Sequence, residues 1–129
     1  MPPTVVKFFE MAVEGRGVWV RRTPHPGTDV AAFVDDFATL NAELSRIAEE
    51  RGALRILVDL REARGRNDAE FEAAIAPHRQ RLFQSGEAMA VLIKTQVGAM
   101  QIRRHFRMDG VDALVFEDEG DAQRWVRGQ

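Results

Sequence analysis

Arginine side chains are concentrated on one short segment that follows an apolar run and precedes an amphipathic pattern. The apolar run 56–58 ends at Asp59, and the polar segment after it contains Arg61, Arg64, Arg66, Asn67 and Asp68. A guanidinium offers a planar fork of donors that matches a carboxylate or a phosphate. A helix that begins after these residues adds free backbone N–H groups and the positive end of its dipole. The segment is therefore a candidate edge for binding a protein partner or a small anion.

A plainer interpretation of the same segment stays open. Asp68 and Glu70 would fall in the first turn of the following helix, where a carboxylate stabilises the helix dipole without any ligand. Asn67 or Asp68 would then serve only as a cap, and the arginines would form surface salt bridges.

The turn after the next apolar run is a second candidate, because it would lie beside the arginine segment. If the runs 54–60 and 88–95 are parallel neighbouring strands, their carboxyl ends share one edge of a sheet. Thr95 would cap the following helix, and Gly98 would let a partner approach the backbone closely. The alternative is that Thr95 is only a cap and Gly98 only a close helix–sheet contact.

Catalytic and metal-binding chemistry finds little support in the sequence. The chain has no cysteine, which excludes disulfides, thiolate metal sites and cysteine nucleophiles. The three histidines show no metal-ligand spacing, and the acidic run 117–121 is interpreted as a solvated helix start; the histidines are His25, His78 and His105. An enzyme would have to use Asp59 with His78, which requires the two side chains to meet in a pocket. We therefore predict no enzyme, no metal and no cofactor.

Charge and length favour a single cytoplasmic domain over residues 1–129. Residues 61–107 carry nine Lys or Arg and five Asp or Glu, whereas residues 108–129 carry two and six. The pI near 5.9 argues against a nucleic-acid footprint, and the uneven charge favours a polar surface for protein partners. The longest apolar run, 88–93, is too short to span a membrane. The first residues lack the pattern of a signal peptide.

Hydrophobic periodicity predicts the elements that would position these residues. Residues 5–13 and 18–22 alternate around a turn and predict an N-terminal hairpin. A stripe over 30–48, capped by Thr28 or Asp29 and stopped by Gly52, predicts a long helix. Strands are predicted over 54–60, 88–95 and 113–116, with helices starting at Asn67 or Asp68 and over 97–108 and 120–127. Pro77 predicts either a kink or the first turn of a second helix.

The resulting order β-β-α-β-α-β-α-β-α indicates an α/β fold with a mostly parallel sheet and right-handed crossovers. Several large residues at helix or strand spacing could form an adaptable apolar surface, but core positions are predicted for them; they are Trp19, Met89, Met100, Phe106 and Met108.

This element order, together with the segment VDLREARGRNDAEF (58–71), resembles the STAS-like (SpoIIAA-like) fold. That fold is found in anti-sigma-factor antagonists and in the cytoplasmic domains of sulfate transporters. The resemblance implies a regulatory or protein-interaction domain over the whole chain, with its functional loop at this segment. A homodimer is also compatible with it. The alternative is a small anion- or metabolite-binding module that uses the arginines.

The chain departs from the pattern of the antagonists at the position that carries their switch. Those proteins have a phosphorylatable Ser or Thr at the start of the helix, whereas no Ser or Thr occurs here between Val58 and Gln84. Asp68 stands near the expected position, where a permanent carboxylate could imitate the charge of a phosphate. The resemblance therefore implies a divergent member that binds constitutively, without a phosphoswitch.

Overall fold

Alternating residues near the start of the chain build the antiparallel end of a six-stranded sheet. In a computed structural model, which describes residues 4–5 (backbone only), 8–25, 29–63, 69–84 and 88–129, β1 (Thr4–Val5) pairs antiparallel with β2 (Phe9–Glu14). β2 pairs antiparallel with β3 (Gly17–Arg22), which forms the predicted hairpin. The single strand expected over 5–13 is instead two strands, since β1 pairs back on β2 with Thr4 opposite Met11.

The remaining elements alternate strictly between helix and strand. They are α1 (Val30–Arg51), β4 (Arg55–Asp59), α2 (Ala69–Gln84), β5 (Ala88–Leu92), α3 (Gln96–Asp109), β6 (Leu114–Phe116) and α4 (Glu119–Val126). From β2 onward this is the predicted order. The strands lie in the sheet in chain order, and β3, β4, β5 and β6 are mutually parallel. The predicted α/β class and mostly parallel sheet are therefore confirmed.

Capping side chains explain where the helices begin. The side chain of Asp29 accepts a hydrogen bond from the backbone N–H of Ala32 at α1, and Asp118 accepts one from Asp121 at α4. α1 ends at Gly52, whose positive φ of 87° suits glycine. α2 passes through Pro77 as one helix, so no second helix starts there. The predicted caps Thr28, Asn67 and Asp68 lie outside the described residues. No helix in the described part of the chain is long and apolar enough to cross a membrane.

Three helices cover one face of the sheet and form the main core with it. In β4, the side chains of Ile56 and Val58 point to this face. α1, α2 and α3 add an aromatic-rich layer in which the rings of Phe33 and Phe71 lie 5.2 Å apart. We refer to this side of the sheet as the three-helix face.

The opposite side of the sheet, the α4 face, has a much smaller core. Its buried apolar members are Leu57, Ala90, Leu92, Ala122 and Val126. Trp19, Phe116 and Trp125 pack against them and are partly buried, so both tryptophans of the chain lie on this face. Because Leu57 alternates with Ile56 and Val58, β4 is buried on both faces, as the continuous apolar run predicts.

The predicted core positions separate into two groups. Met89 and Phe106 are each 5% exposed and belong to the main core. Met100 and Met108 are 68% and 77% exposed, so their prediction as core residues is wrong. Both lie on the side of α3 opposite its buried residues Ala99 and Phe106, because residues one or two turns apart share a face.

Candidate functional site

The carboxyl ends of β3, β4 and β5 meet at one edge of the sheet, where the sequence places its candidate residues. β4 and β5 are parallel neighbours, and the N–H of Leu60 continues their ladder to the carbonyl of Leu92 (2.9 Å). Arg61 and Lys94 line the same depression of about 530 Å³. Six charged residues in this region form what we call the carboxyl-edge cluster: Glu10, Arg21, Asp59, Arg61, Glu62 and Glu119.

Asp59 is the centre of the cluster, although only 1% of this residue is exposed. Its Oδ1 accepts hydrogen bonds from the backbone N–H and the Nε of Arg61, at 3.1 and 3.0 Å. Its Oδ2 accepts from Arg61 Nη2 at 2.8 Å and from Trp19 Nε1 at 3.3 Å. A buried carboxylate with this many donors is fully satisfied, as a charge in an interior must be.

Arg61 connects the end of β4 to the start of α4. Its Nη2 also donates to Glu119 Oε1 at 2.9 Å. The hydrogen bond to Asp59, followed by that to Glu119, raises the pKa of the guanidinium above its usual value. The donors that a bidentate anion would need are therefore engaged by carboxylates of the chain itself.

Arg21 is engaged in the same way from the neighbouring strand. Its Nε and Nη2 donate to Glu10 Oε2 at 2.8 and 2.6 Å, and its Nη1 pairs with Glu62. The hydrogen bonds to Glu10 raise the pKa of this guanidinium as well.

The charge balance of the cluster does not favour anion binding. Two arginines face four carboxylates, and Lys94 is the further cation that lines the depression. Like charges repel an added phosphate or carboxylate, so the described part of this edge gives an anion no net attraction. The other predicted binding residues, Arg64, Arg66, Asn67 and Asp68, lie outside the described residues, and their roles stay predictions.

Thr95 and Gly98 match the plainer of their two interpretations. The Thr95 Oγ1 accepts from the N–H of Gly98 at 3.0 Å and caps α3. A Cβ added at Gly98 would lie 2.8 Å from Ile93 Cγ2 and 3.1 Å from Thr95 Oγ1. The glycine thus permits a close contact between α3 and the end of β5.

The two residues of the enzyme hypothesis do not meet. Asp59 points to the α4 face, where it binds Trp19, while the ring of His78 lies 5.9 Å from Phe37 on the three-helix face. The sheet separates the two side chains, which removes the acid–base pair that the hypothesis requires. Among the described residues, no three His, Asp or Glu side chains are grouped so that they could hold a metal ion.

Core positions are favoured for Met100 and Met108 over an adaptable apolar surface by the sequence, but the structure places both on an exposed surface on the outer side of α3. Within the described residues, the large apolar side chains that are exposed all lie on α3 and β6: Val97 (66%), Met100 (68%), Met108 (77%) and Leu114 (52%). Three exposed arginines, Arg103, Arg104 and Arg107, also lie on this helix. We call the helical part the α3 surface, defined by Val97, Met100, Arg103, Arg104, Arg107 and Met108.

A signal for the α3 surface is present in the sequence. Positions 97, 100, 104 and 108 are three or four residues apart and form their own stripe. They lie opposite the inner positions 99, 102 and 106, so the spacing alone predicts that Met100 and Met108 face outward.

Comparison of the chain with protein-family models, with curated proteins and with solved structures finds no match.

Proposed function

We propose that the chain is a cytoplasmic, non-enzymatic STAS-like domain that acts by binding a protein partner through the α3 surface. The order of elements and the position of the arginine segment support the family, and the absence of Ser and Thr between Val58 and Gln84 supports constitutive binding. The carboxyl-edge cluster supports the non-enzymatic role, because both of its arginines are paired with carboxylates of the chain.

The observation that carries the proposal is the pair of exposed methionines on α3. Apolar side chains scattered singly over a surface are ordinary, but here Val97, Met100 and Met108 share one side of a single helix that also carries exposed arginines. Methionine and arginine are enriched where protein interfaces are buried, because a flexible thioether adapts to a partner and a guanidinium both packs and donates. The α3 surface therefore has the composition of an interface core.

Charge indicates the chemistry of the partner. None of the ion pairs found among the described residues involves Arg103, Arg104 or Arg107. A partner surface that presents acidic side chains around an apolar centre would pair with these arginines and cover the methionines.

The experiment compares two variants of equal charge change. Met100→Glu with Met108→Glu places two carboxylates on the α3 surface, whereas Ala38→Glu with Ala42→Glu places two on exposed positions of α1. Proteins retained by the immobilised wild type and by the α1 variant, but lost with the α3 variant, are then purified and titrated against the chain. We expect a loss of at least tenfold in affinity, about 1.4 kcal/mol, for the α3 variant alone. Equal affinity for all three forms would overturn the proposal.

Self-association is measured in the same experiment, because a second copy of the chain is another way to cover the α3 surface. The solution mass of the wild type and the two variants is compared over a concentration series. A dimer that dissociates in the α3 variant alone would assign this surface to a homodimer and contradict binding to a different protein.

A further inference from the structure

A cavity of about 270 Å³ lies on the three-helix face, beneath α2 and between α1 and α3. The closest backbone approach of α2 is to α1 and not to a strand. Asn41 of α1 donates to the carbonyl of His78 at 3.1 Å, and the ring of Phe33 contacts that of Phe71. The inner side of α2 therefore covers a space that is bounded on the opposite side by residues at the ends of β2, β3 and β4.

The walls of the cavity are almost entirely apolar. Aromatic side chains come from three elements, β2, α1 and α2, and aliphatic ones come from β4, α2 and α3. Ala63 is exposed and lies at the rim, whereas Val58 (3% exposed) and Leu82 (2%) lie in the interior. Apolar cavities exclude water and accept apolar ligands, and a dry cavity of about 150 Å³ is already large enough to bind benzene.

The charged groups at the walls have partners within the protein. Arg79 Nη1 pairs with Glu72 Oε2 at 2.9 Å, and Arg79 Nε, which makes no hydrogen bond, lies 3.4 Å from an Asp109 carboxylate oxygen. Arg22 donates to backbone carbonyls, one of them that of Thr23 at 2.6 Å, and its guanidinium lies 4.7 Å from the centre of the Phe33 ring. A ligand is thus offered apolar contact more than an ion pair.

We propose that this cavity binds a small, uncharged, predominantly apolar molecule, larger than benzene and enclosed by aromatic rings and aliphatic side chains. The volume sets the size, because drug-sized ligands occupy cavities from about 300 Å³ upward. The lining sets the polarity, since burying a charged ligand here without a free counter-charge would carry a large desolvation penalty. The site is separate from the α3 surface, so each proposal can fail without the other.

The experiment is a thermal titration with p-xylene, compared with benzoate as a charged aromatic of similar size. Saturable binding to the folded state raises the melting temperature as the ligand exceeds its Kd, and we expect a rise on the order of 4 °C for p-xylene. Benzoate should give no saturable rise. No saturable rise with p-xylene up to its solubility limit, or an equal rise with benzoate, would overturn the proposal.

Two variants locate the binding. Ile75→Phe reduces the volume of the cavity from α2, and Ala63→Trp obstructs it from the exposed rim, where folding is least disturbed. Both should weaken the response to p-xylene, whereas the α1 variant Ala38→Glu with Ala42→Glu should keep it. If Ile75→Phe does not fold, Ala63→Trp alone decides, and an undiminished response in that variant contradicts the assignment to this cavity.

Discussion

Different interactions stabilise the structure on the two faces of the sheet. On the three-helix face, α1, α2 and α3 bury a broad layer of aromatic and aliphatic side chains. On the α4 face, one helix of eight residues covers a core of five small or medium residues. On the first face, the main contribution to stability is the burial of apolar area, which is favourable by about 25 cal/mol per Å².

Directed contacts compensate for the small core of the α4 face. Arg61 pairs with Glu119 at the start of α4, and Arg55 Nε donates to the Trp125 carbonyl at 2.8 Å near its end. The guanidinium of Arg55 also lies 4.5 Å from the centre of the Trp125 ring. A short helix with little area to bury is thus positioned by hydrogen bonds and charge, whereas larger helices are positioned by packing. The two tryptophans make the α4 face separately observable by fluorescence.

Substitutions at two neighbouring residues of β4 provide the strongest test of the difference between the two faces. Ile56 and Leu57 are both 0% exposed but point to opposite faces. We expect Ile56→Ala to reduce the free energy of unfolding by about 4 kcal/mol and Leu57→Ala by about 2 kcal/mol, because the cost of a cavity falls where its surroundings can collapse. Urea unfolding followed by circular dichroism measures both. A larger loss for Leu57→Ala would contradict the difference between the faces.

The carboxyl-edge cluster tests whether charge anchors the α4 face. Asp59→Asn keeps the shape of the side chain but leaves Arg61 with Glu119 as its remaining carboxylate partner. Breaking a buried pair can cost 3–5 kcal/mol, and partial exposure of Arg61 reduces the expected loss to about 3 kcal/mol. Glu62→Gln, in an exposed pair, should cost less than about 1 kcal/mol. Equal losses in the two variants, measured by urea unfolding, would show that Asp59 is not the anchor.

Gly17 tests how closely α4 must approach the sheet. A Cβ at this position would lie 2.4 Å from the Val126 carbonyl oxygen, so Gly17→Ala should displace the end of α4 and cost about 2 kcal/mol. Hydrogen exchange should increase selectively in α4, with a shift in tryptophan emission. In the control Gly15→Ala, the positive φ of 61° costs about 1 kcal/mol without contact to α4. Unchanged exchange in α4 of Gly17→Ala would refute the expected displacement.

The smallest expected change in stability is that of Gly98→Ala, on the three-helix face. Gly98→Ala gains about 1 kcal/mol of helix propensity but introduces a contact with the stiff Ile93 side chain that costs about 2 kcal/mol, for a net loss of about 1 kcal/mol. In an Ile93→Ala background the contact is gone, and the same substitution should become stabilising. A double-mutant cycle by thermal unfolding measures the coupling, and additive effects would place the constraint elsewhere.

Most of the fold could be predicted because its elements have local signals. The period of α1, its cap at Asp29 and its stop at Gly52 all agree, and so do the continuous apolar runs of β4 and β5. β1 was missed because two residues carry too short a pattern to be separated from β2. Pro77 left two alternatives because local sequence alone does not decide whether neighbouring contacts keep a proline-containing helix continuous.

The site was harder to predict because its partners are remote in sequence. The sequence leaves open whether Arg61 binds a partner or forms a salt bridge, because its partner Glu119 is 58 residues away and Trp19 reaches Asp59 across 40 residues. Such pairs depend on the sheet bringing the elements together. Met100 and Met108 present a different conflict, since their helical spacing predicts exposure whereas their residue type favours the core.

The order of the strands also has a consequence for how the chain acquires its structure. Each strand pairs only with the strands before and after it in the chain, so every new strand can extend a sheet that already exists. Only the antiparallel pairings, such as the hairpin of β2 and β3, close short loops; each parallel pairing spans a helical crossover, as from Gly17 to Arg55, and is expected to form more slowly. The sheet can still grow in the direction of translation while the three-helix face closes unit by unit. The contact between Gly17 and Val126 joins the early hairpin to the last helix, so sealing of the α4 face is expected as the final folding step.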